Sequence, residues 1–308
     1  MNYLFRKTIT DWNSWGAVFQ SIEDFRELIK EIFIRENLTG YEQISHLTPG
    51  SNAVFKVGSY VIKIFAPTES SANTDYYYHA ELTAMKRAIA KGINTPRVIA
   101  ASYIQDKYLF RYIIMDYIKG KEAGRVLKDC SIDKKVSFVH ELKTNLQKIN
   151  RRPNNFVDGN DLIKRAIHNE KWSPYPESVK KQIYDVLTDL QIENMVYVHG
   201  DLTAENVMID EEESLYIIDF ADSTIAPVEY EYPPIIMDLF DFDRDLTLEF
   251  MKGMELEEFI DRLFVGTLLH EFGAFIIKDF WDRCTSKKVE ELTDIFEIKA
   301  LMFDKLKN

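Results

Sequence analysis

The sequence is poor in cysteine: Cys130 and Cys284 are the only two among 308 residues, and neither has a neighbour that would complete a zinc or thioredoxin-like pair. Disulfide-stapled scaffolds are excluded, and two thiols kept reduced suit a cytoplasmic protein. No apolar run approaches the ~18 residues of a membrane helix. The opening MNYLFRKTITDWNSWG also lacks the apolar core and small-residue cleavage site of an export signal, so the expectation is a chain with no membrane contact. Positive charge is scarce too: 38 Lys and Arg against 50 Asp and Glu give a net −12. That balance disfavours a surface that follows a nucleic acid backbone, and no nucleic-acid partner is expected.

What remains is an ordinary globular composition, 46% apolar, 13% aromatic and 29% charged, in a chain long enough for two domains or two lobes. Ser21-Ile22-Glu23-Asp24 reads as a helix cap, and Ile22, Phe25, Leu28, Ile29, Ile32 and Phe33 follow at helical spacing until Thr39-Gly40. Trp12, Trp15 and Phe19 before it form an aromatic patch whose expected use is packing. From Ile44 short β-branched and aromatic runs take over. Ala53–Val57 and Tyr60–Phe65, split by Gly58-Ser59, predict a hairpin; a helix is expected over about Asp75–Lys91, and further strands around Ile99–Ser102 and Phe110–Met115. Beyond residue 120 the pattern is helical near Lys134–Asn150, Gly159–Ile167 and Glu177–Gln191. Short strands at Val196–Val198, Val207–Ile209 and Leu215–Ile218 interrupt it, and helices are expected again from about Ile236.

The most polar loops join those three strands. His199-Gly200-Asp201-Leu202-Thr203-Ala204-Glu205-Asn206 lies between the first two, and Asp219-Phe220 follows the third, with Asp219 13 residues after Asn206. A carboxylate, an amide and a second carboxylate aimed from such loops are what phosphoryl transfer from a magnesium nucleotide requires. Asp201 would accept or orient the proton of an attacking hydroxyl. Asn206 and Asp219 would supply hard oxygens to Mg2+, which keeps few protein ligands and takes the rest from phosphates.

HGDLTAEN followed by IDF resembles the catalytic-loop and metal-loop motifs of the aminoglycoside phosphotransferase/choline kinase family, relatives of the protein kinases. The resemblance covers about residues 44–280 and implies an α+β, protein-kinase-like bilobal fold. Its lobes would be a nucleotide-binding N-lobe over 44–115 and a helical C-lobe over 121–308, joined by a hinge at 116–120, with residues 1–43 as a helical extension packed on the N-lobe. It further implies a phosphate loop at Gly50, Ser51 and Asn52, although G-x-G-x-x-G is not present. A strand lysine, Lys63, would contact the α- and β-phosphates, and Glu81, eighteen residues later on the helix, would hold it. In the hinge, the carbonyl of Asp116 and the N–H of Ile118 would read the base, with Met115 lining the pocket behind it. The backbone contacts leave ATP and GTP equally open. Gly200 replaces the Arg of His-Arg-Asp, Ala221 replaces the glycine after Asp-Phe, and no Ala-Pro-Glu follows, so neither a protein substrate nor an activation-loop switch is implied.

The family's acceptor sits in the helical lobe, and here residues 199–262 hold 19 Asp and Glu against Arg244, Lys252 and Arg262. That imbalance favours a small cationic acceptor, an aminoglycoside first, with Asp222, Glu229, Glu231, Asp238 and Glu271 as candidate ammonium ligands. Choline or ethanolamine, an amino sugar or a macrolide are the alternatives, and a regulatory nucleotide-binding module without turnover is the rival of another class. Tyr230 and Tyr232 are expected to pack, with cation–π contact to a quaternary amine such as choline as the alternative, His199 to be a structural residue of its loop, and the other histidines show no metal-ligand spacing. Oligomeric state is not legible.

Overall fold

Ser21 caps the first long helix as its sequence suggests, its hydroxyl accepting from the Asp24 N–H, and the stripe Phe25, Leu28, Ile29, Ile32 and Phe33 is fully buried. In the computed structural model, which describes residues 3–48, 50–154, 158–192 and 194–307, contacts divide the chain into two compact units. The first comprises Met1–Gly120 with Tyr216–Asp222, and the second Lys121–Leu215 with Ser223–Asn308.

In the first unit a short helix, α1 (Trp12–Gly16), and the capped helix α2 (Ile22–Arg35) precede strands β1 (Ile44–His46), β2 (Ala53–Val57) and β3 (Tyr60–Ile64). Helix α3 (Thr74–Ala90) and strands β4 (Val98–Gln105) and β5 (Leu109–Asp116) complete it. The five strands form one antiparallel sheet in the order β1-β2-β3-β5-β4. The β2–β3 turn needs a positive φ at its first position, and Gly58 supplies it at +59°. Phe5, Trp15, Phe25 and Phe33 share one core with Phe55, Ile62, Phe110 and Ile114 of the sheet. The patch expected at Trp12, Trp15 and Phe19 is divided: Trp15 is fully buried and donates its indole N–H to the Ser51 carbonyl at 2.9 Å, while Trp12 is half exposed.

The second unit is mostly helical. β6 (Gly120–Glu122) falls at the boundary, followed by helices α4 (Ala123–Leu127), α5 (Ile132–Ile149), α6 (Gly159–Ile167) and α7 (Glu177–Thr188). Strands β7 (Met195–Val198), β8 (Val207–Asp210), β9 (Leu215–Ile217) and β10 (Thr224–Pro227) come next. The sequence pattern missed β10, which pairs antiparallel with β7 and ends on Pro227 opposite Met195. Helices α8 (Arg244–Phe250), α9 (Leu256–Leu269), α10 (Gly273–Cys284) and α11 (Phe296–Lys307) finish the chain. The helix expected from Ile236 is instead a π-helical segment, Pro234–Leu239, with the Phe240 N–H reaching back to the Ile235 carbonyl. Among the described residues no helix is long and apolar enough to cross a membrane.

Candidate active site

On β3 the side chains alternate, and Ile62 and Ile64 enter the core while Lys63 faces the other way. Lys63 is buried nonetheless, at 4% exposure, because two carboxylates receive it. Its Nζ lies 2.7 Å from Asp219 Oδ1 and 2.9 Å from Glu81 Oε2. Glu81 belongs to the buried face of α3, with Thr74, Tyr78, Met85 and Ala88 at helical spacing, which carries a carboxylate into a dry site. Burial pushes the Glu81 carboxyl up, against the opposing pull of Lys63. Burial works against the Lys63 charge as well, but the attraction of Asp219 and Glu81 outweighs it and holds the ammonium above its ordinary range. Asp219 turns the chain at φ +56°, a left-handed conformation that Asp tolerates better than most residues. Glu81 and Asp219 therefore both meet the one ammonium of Lys63.

The second unit carries the other half of the motif. Asn206 Nδ2 donates to the Asp201 carboxylate at 2.6 Å and to the Asp201 carbonyl at 2.9 Å, fixing the aspartate at the start of its loop. With Nδ2 spent on Asp201, the amide presents its Oδ1 elsewhere, the end a hard cation would take. Among the described residues no three His, Cys, Asp or Glu side chains are grouped to hold a metal by themselves. Asp219 in the first unit and Asn206 in the second each carry an oxygen of the hard kind that Mg2+ takes.

A model of the family described as "Phosphotransferase enzyme family" matches residues 48–266. The chain belongs to this family. It is a phosphotransferase acting on an alcohol group of a small molecule. Its fold is similar to that of APH(2")-IIia solved with GDP and kanamycin, at 15% identity and a TM-score of 0.60, over 91% of this chain and 98% of that one. The streptomycin–ATP–APH(2")-IIa ternary complex is 15% identical with a TM-score of 0.59, over 87% and 98%. The choline kinase LicA from Streptococcus pneumoniae is 14% identical with a TM-score of 0.56, over 91% and 98%. No curated protein matches the sequence.

In this phosphotransferase the acidic candidates divide by environment. Glu231 is a correction: it is fully buried, and its carboxylate accepts from the His199 N–H at 2.7 Å, the Gly200 N–H at 3.1 Å and Asn150 Nδ2 at 3.1 Å. Those oxygens hold the loop ahead of Asp201 and have no surface to offer an acceptor. Glu229 is half-buried and paired with Arg262 at 3.1 Å, and the exposed Glu271 is paired with Lys171. Asp238 accepts from the Ala204 N–H at 2.6 Å, which ties the π-helical segment to the same loop. Asp222 lies half-buried three residues beyond Asp219. Tyr230 and Tyr232 pack, the first stacked on His270 at 4.3 Å and the second on Phe259 at 5.6 Å.

Upstream, Met115 is buried on β5. The Asp116 N–H donates to the Arg97 carbonyl, its carboxylate pairs with Arg97 at 3.2 Å, and Ile118 follows half-buried. Gly50 and Ser51 are exposed, whereas the Asn52 Oδ1 accepts from the Ala66 N–H at 3.2 Å. A Cβ on Gly50 would meet nothing within 4 Å, so the fold itself makes no demand for glycine there.

His270 is the residue that spacing could not single out. It is 1% exposed; Nε2 lies 2.8 Å from the Gly200 carbonyl and Nδ1 accepts from the Phe272 N–H at 3.1 Å, so the ring is neutral with its proton on Nε2. Gly200, at φ +82°, is thereby held on both sides, its N–H by Glu231 and its carbonyl by His270. Burial is the main reason that the His270 pKa falls to about 4, with a smaller push from Lys171. Between about pH 4 and pH 6.5 the unfolded chain binds a proton here that the folded chain refuses. His270 therefore contributes stability that is complete above pH 6.5 and is lost as pH falls toward 4, by up to about 3 kcal/mol. Raised carboxyls such as Glu231 act in the opposite sense, so the comparison is between variants. His270→Gln keeps an N–H for the Gly200 carbonyl without titrating. Urea unfolding at pH 7.5 and pH 5 is expected to show a markedly smaller loss in the glutamine variant, and equal losses would contradict a buried neutral ring.

Proposed function

We propose that this phosphotransferase moves the γ-phosphoryl group of ATP or GTP, held with Mg2+, to a hydroxyl of a small amine-bearing acceptor of the aminoglycoside type. The observation that carries the reading is the tether between Asn206 and Asp201, which fixes a carboxylate at the head of the HGD loop and leaves an amide oxygen for a hard ion. Asp201 takes or orients the proton of the acceptor hydroxyl as its oxygen bonds to the γ-phosphorus in line and the bond to the β-phosphate oxygen breaks. Lys63, kept in place by Glu81, contacts the α- and β-phosphates, and Asp219 and Asn206 offer oxygens to the magnesium. Bound there, Mg2+ would supply neutralisation of the phosphate charge. Main-chain groups of Gly50, Ser51 and Asn52 would approach the phosphates. The Asp116 carbonyl and the Ile118 N–H would take the base edge, with Met115 behind it.

The similar structures were solved with GDP and kanamycin and with ATP and streptomycin, which supports a purine nucleotide donor and an amine-rich acceptor. With Glu231 committed inside the fold, Asp222, Asp238 and Glu271 remain the candidates for ammonium groups, and Glu229 only by exchange with Arg262. A cytoplasmic location and the absence of nucleic-acid and membrane partners belong to the same proposal.

The test is nucleoside diphosphate release with ATP and with GTP, each with magnesium, against aminoglycosides, choline, ethanolamine, amino sugars and macrolides. Acceptor-dependent release is expected with at least one aminoglycoside. Release with choline alone would move the acceptor assignment, and nucleotide binding without release would favour the regulatory module.

A further inference from the structure

A groove of about 510 Å3 opens in the second unit, and the one acceptor candidate in its lining is Glu231, already set aside as a ligand for the acceptor. Leu146, Val228, Tyr232, Phe250, Met254 and Phe259 make its apolar lining. Such a volume and lining lie within the range of small-molecule sites. Its polar groups carry the unusual sign. Lys143, Arg151 and Lys252 line it in a chain of net charge −12, and Lys252 is one of three basic residues in the whole of 199–262. The carboxylate on the groove wall, Glu231, already accepts three hydrogen bonds from within the fold.

The three cations are available to differing degrees. Lys143 Nζ gives one hydrogen bond to the Phe250 carbonyl at 2.7 Å, and the exposed Lys252 reaches the half-buried Glu249 carboxylate at 3.2 Å and 3.3 Å. The Arg151 side chain is exposed and has no hydrogen bond or ion pair among the described residues. Burial and the neighbouring charge of Lys252 hold the Lys143 ammonium below its ordinary pKa, the condition that an incoming anion would relieve.

We infer that this groove binds an amphipathic monoanion, a carboxylate or sulfonate bearing an aromatic or medium-chain apolar body, with Arg151, Lys143 and Lys252 on the charged end. The occupant rests on Asn150, whose Nδ2 bridges the Tyr197 carbonyl and Glu231. Through Glu231 it stands two hydrogen bonds from the His199 and Gly200 amides, so binding stiffens the segment ahead of Asp201. This binding claim does not depend on which acceptor is phosphorylated.

The probes are 8-anilinonaphthalene-1-sulfonate, followed by fluorescence on the full chain, and octanoate against the neutral 1-octanol as competitors. One saturable site is expected, emptied at least tenfold more effectively by octanoate than by octanol. Arg151→Gln/Lys252→Gln, both exposed positions, is expected to raise the dissociation constant at least tenfold, with the cooperative unfolding transition kept although the Lys252–Glu249 pair is lost. Binding without saturation, equal competition by octanol, or full affinity in the double variant would each overturn the site. Slower amide exchange at His199 and Gly200 with octanoate bound is expected in the wild-type protein, and unchanged exchange at saturation would overturn the coupling to the loop.

Discussion

Asp201→Asn is expected to abolish most turnover while leaving the fold and nucleotide affinity nearly intact. The asparagine keeps an oxygen where Asn206 Nδ2 now donates at 2.6 Å, so the tether survives and only the proton acceptor is lost. A positioned general base contributes roughly 10²–10⁴-fold, and the loss of kcat should fall in that range. Unfolding free energy should change by less than about 1 kcal/mol, because a half-buried neutral hydrogen bond replaces a charged one. Steady-state release of nucleoside diphosphate, beside nucleotide titration by calorimetry, measures both sides. Unchanged turnover in the variant would remove Asp201 from the role of base.

Lys63→Met is expected to cost both stability and rate, and the two can be separated. Removing one member of a buried ion pair typically costs about 3–5 kcal/mol. Here the exposed part of Asp219 lessens the penalty, whereas Glu81, 1% exposed, would be stranded. With its carboxyl already raised by burial, Glu81 would take up a proton, so the variant gains stability as pH falls and loses it as pH rises through the Glu81 pKa. Lys63→Met/Glu81→Leu removes the stranded group and is expected to recover most of the stability, since apolar replacement of buried pairs is often neutral. Turnover should stay about 10²-fold or more below wild type in both, for want of the phosphate contact. Urea unfolding and product release decide the matter: recovered turnover in the double variant would deny Lys63 any part in the reaction.

Where the candidate residues lie in the fold was legible because local patterns carry them, while their roles came from the resemblance. The β-branched run put Lys63 on a strand, the helix expected over about Asp75–Lys91 took in Glu81, and the loop HGDLTAEN stands between two short apolar runs. What holds that loop was not legible. Glu231 reaches back 31 and 32 residues to Gly200 and His199, and His270 reaches back 70 to Gly200. No periodicity links such positions, and a buried carboxylate in an acidic stretch looks like its solvated neighbours until the three donors around it are seen. The π-helical segment escaped because an apolar run as short as Ile235–Met237 reads the same whether the turn is α or π, and its tie from Asp238 to Ala204 spans 34 residues. The charge count over 199–262 described an average and could not divide residues inside the fold from those at its surface.

The hydrogen bond from the Trp15 indole to the Ser51 carbonyl has an optical consequence. An indole has a single N–H, and here it is spent on the segment expected to meet the phosphates. Replacing Trp12, Trp172 and Trp281 by phenylalanine would leave one indole in the chain, sealed from water and bonded to that carbonyl. The colour of its emission would then follow any movement of Ser51 as a nucleotide arrives, with no label attached.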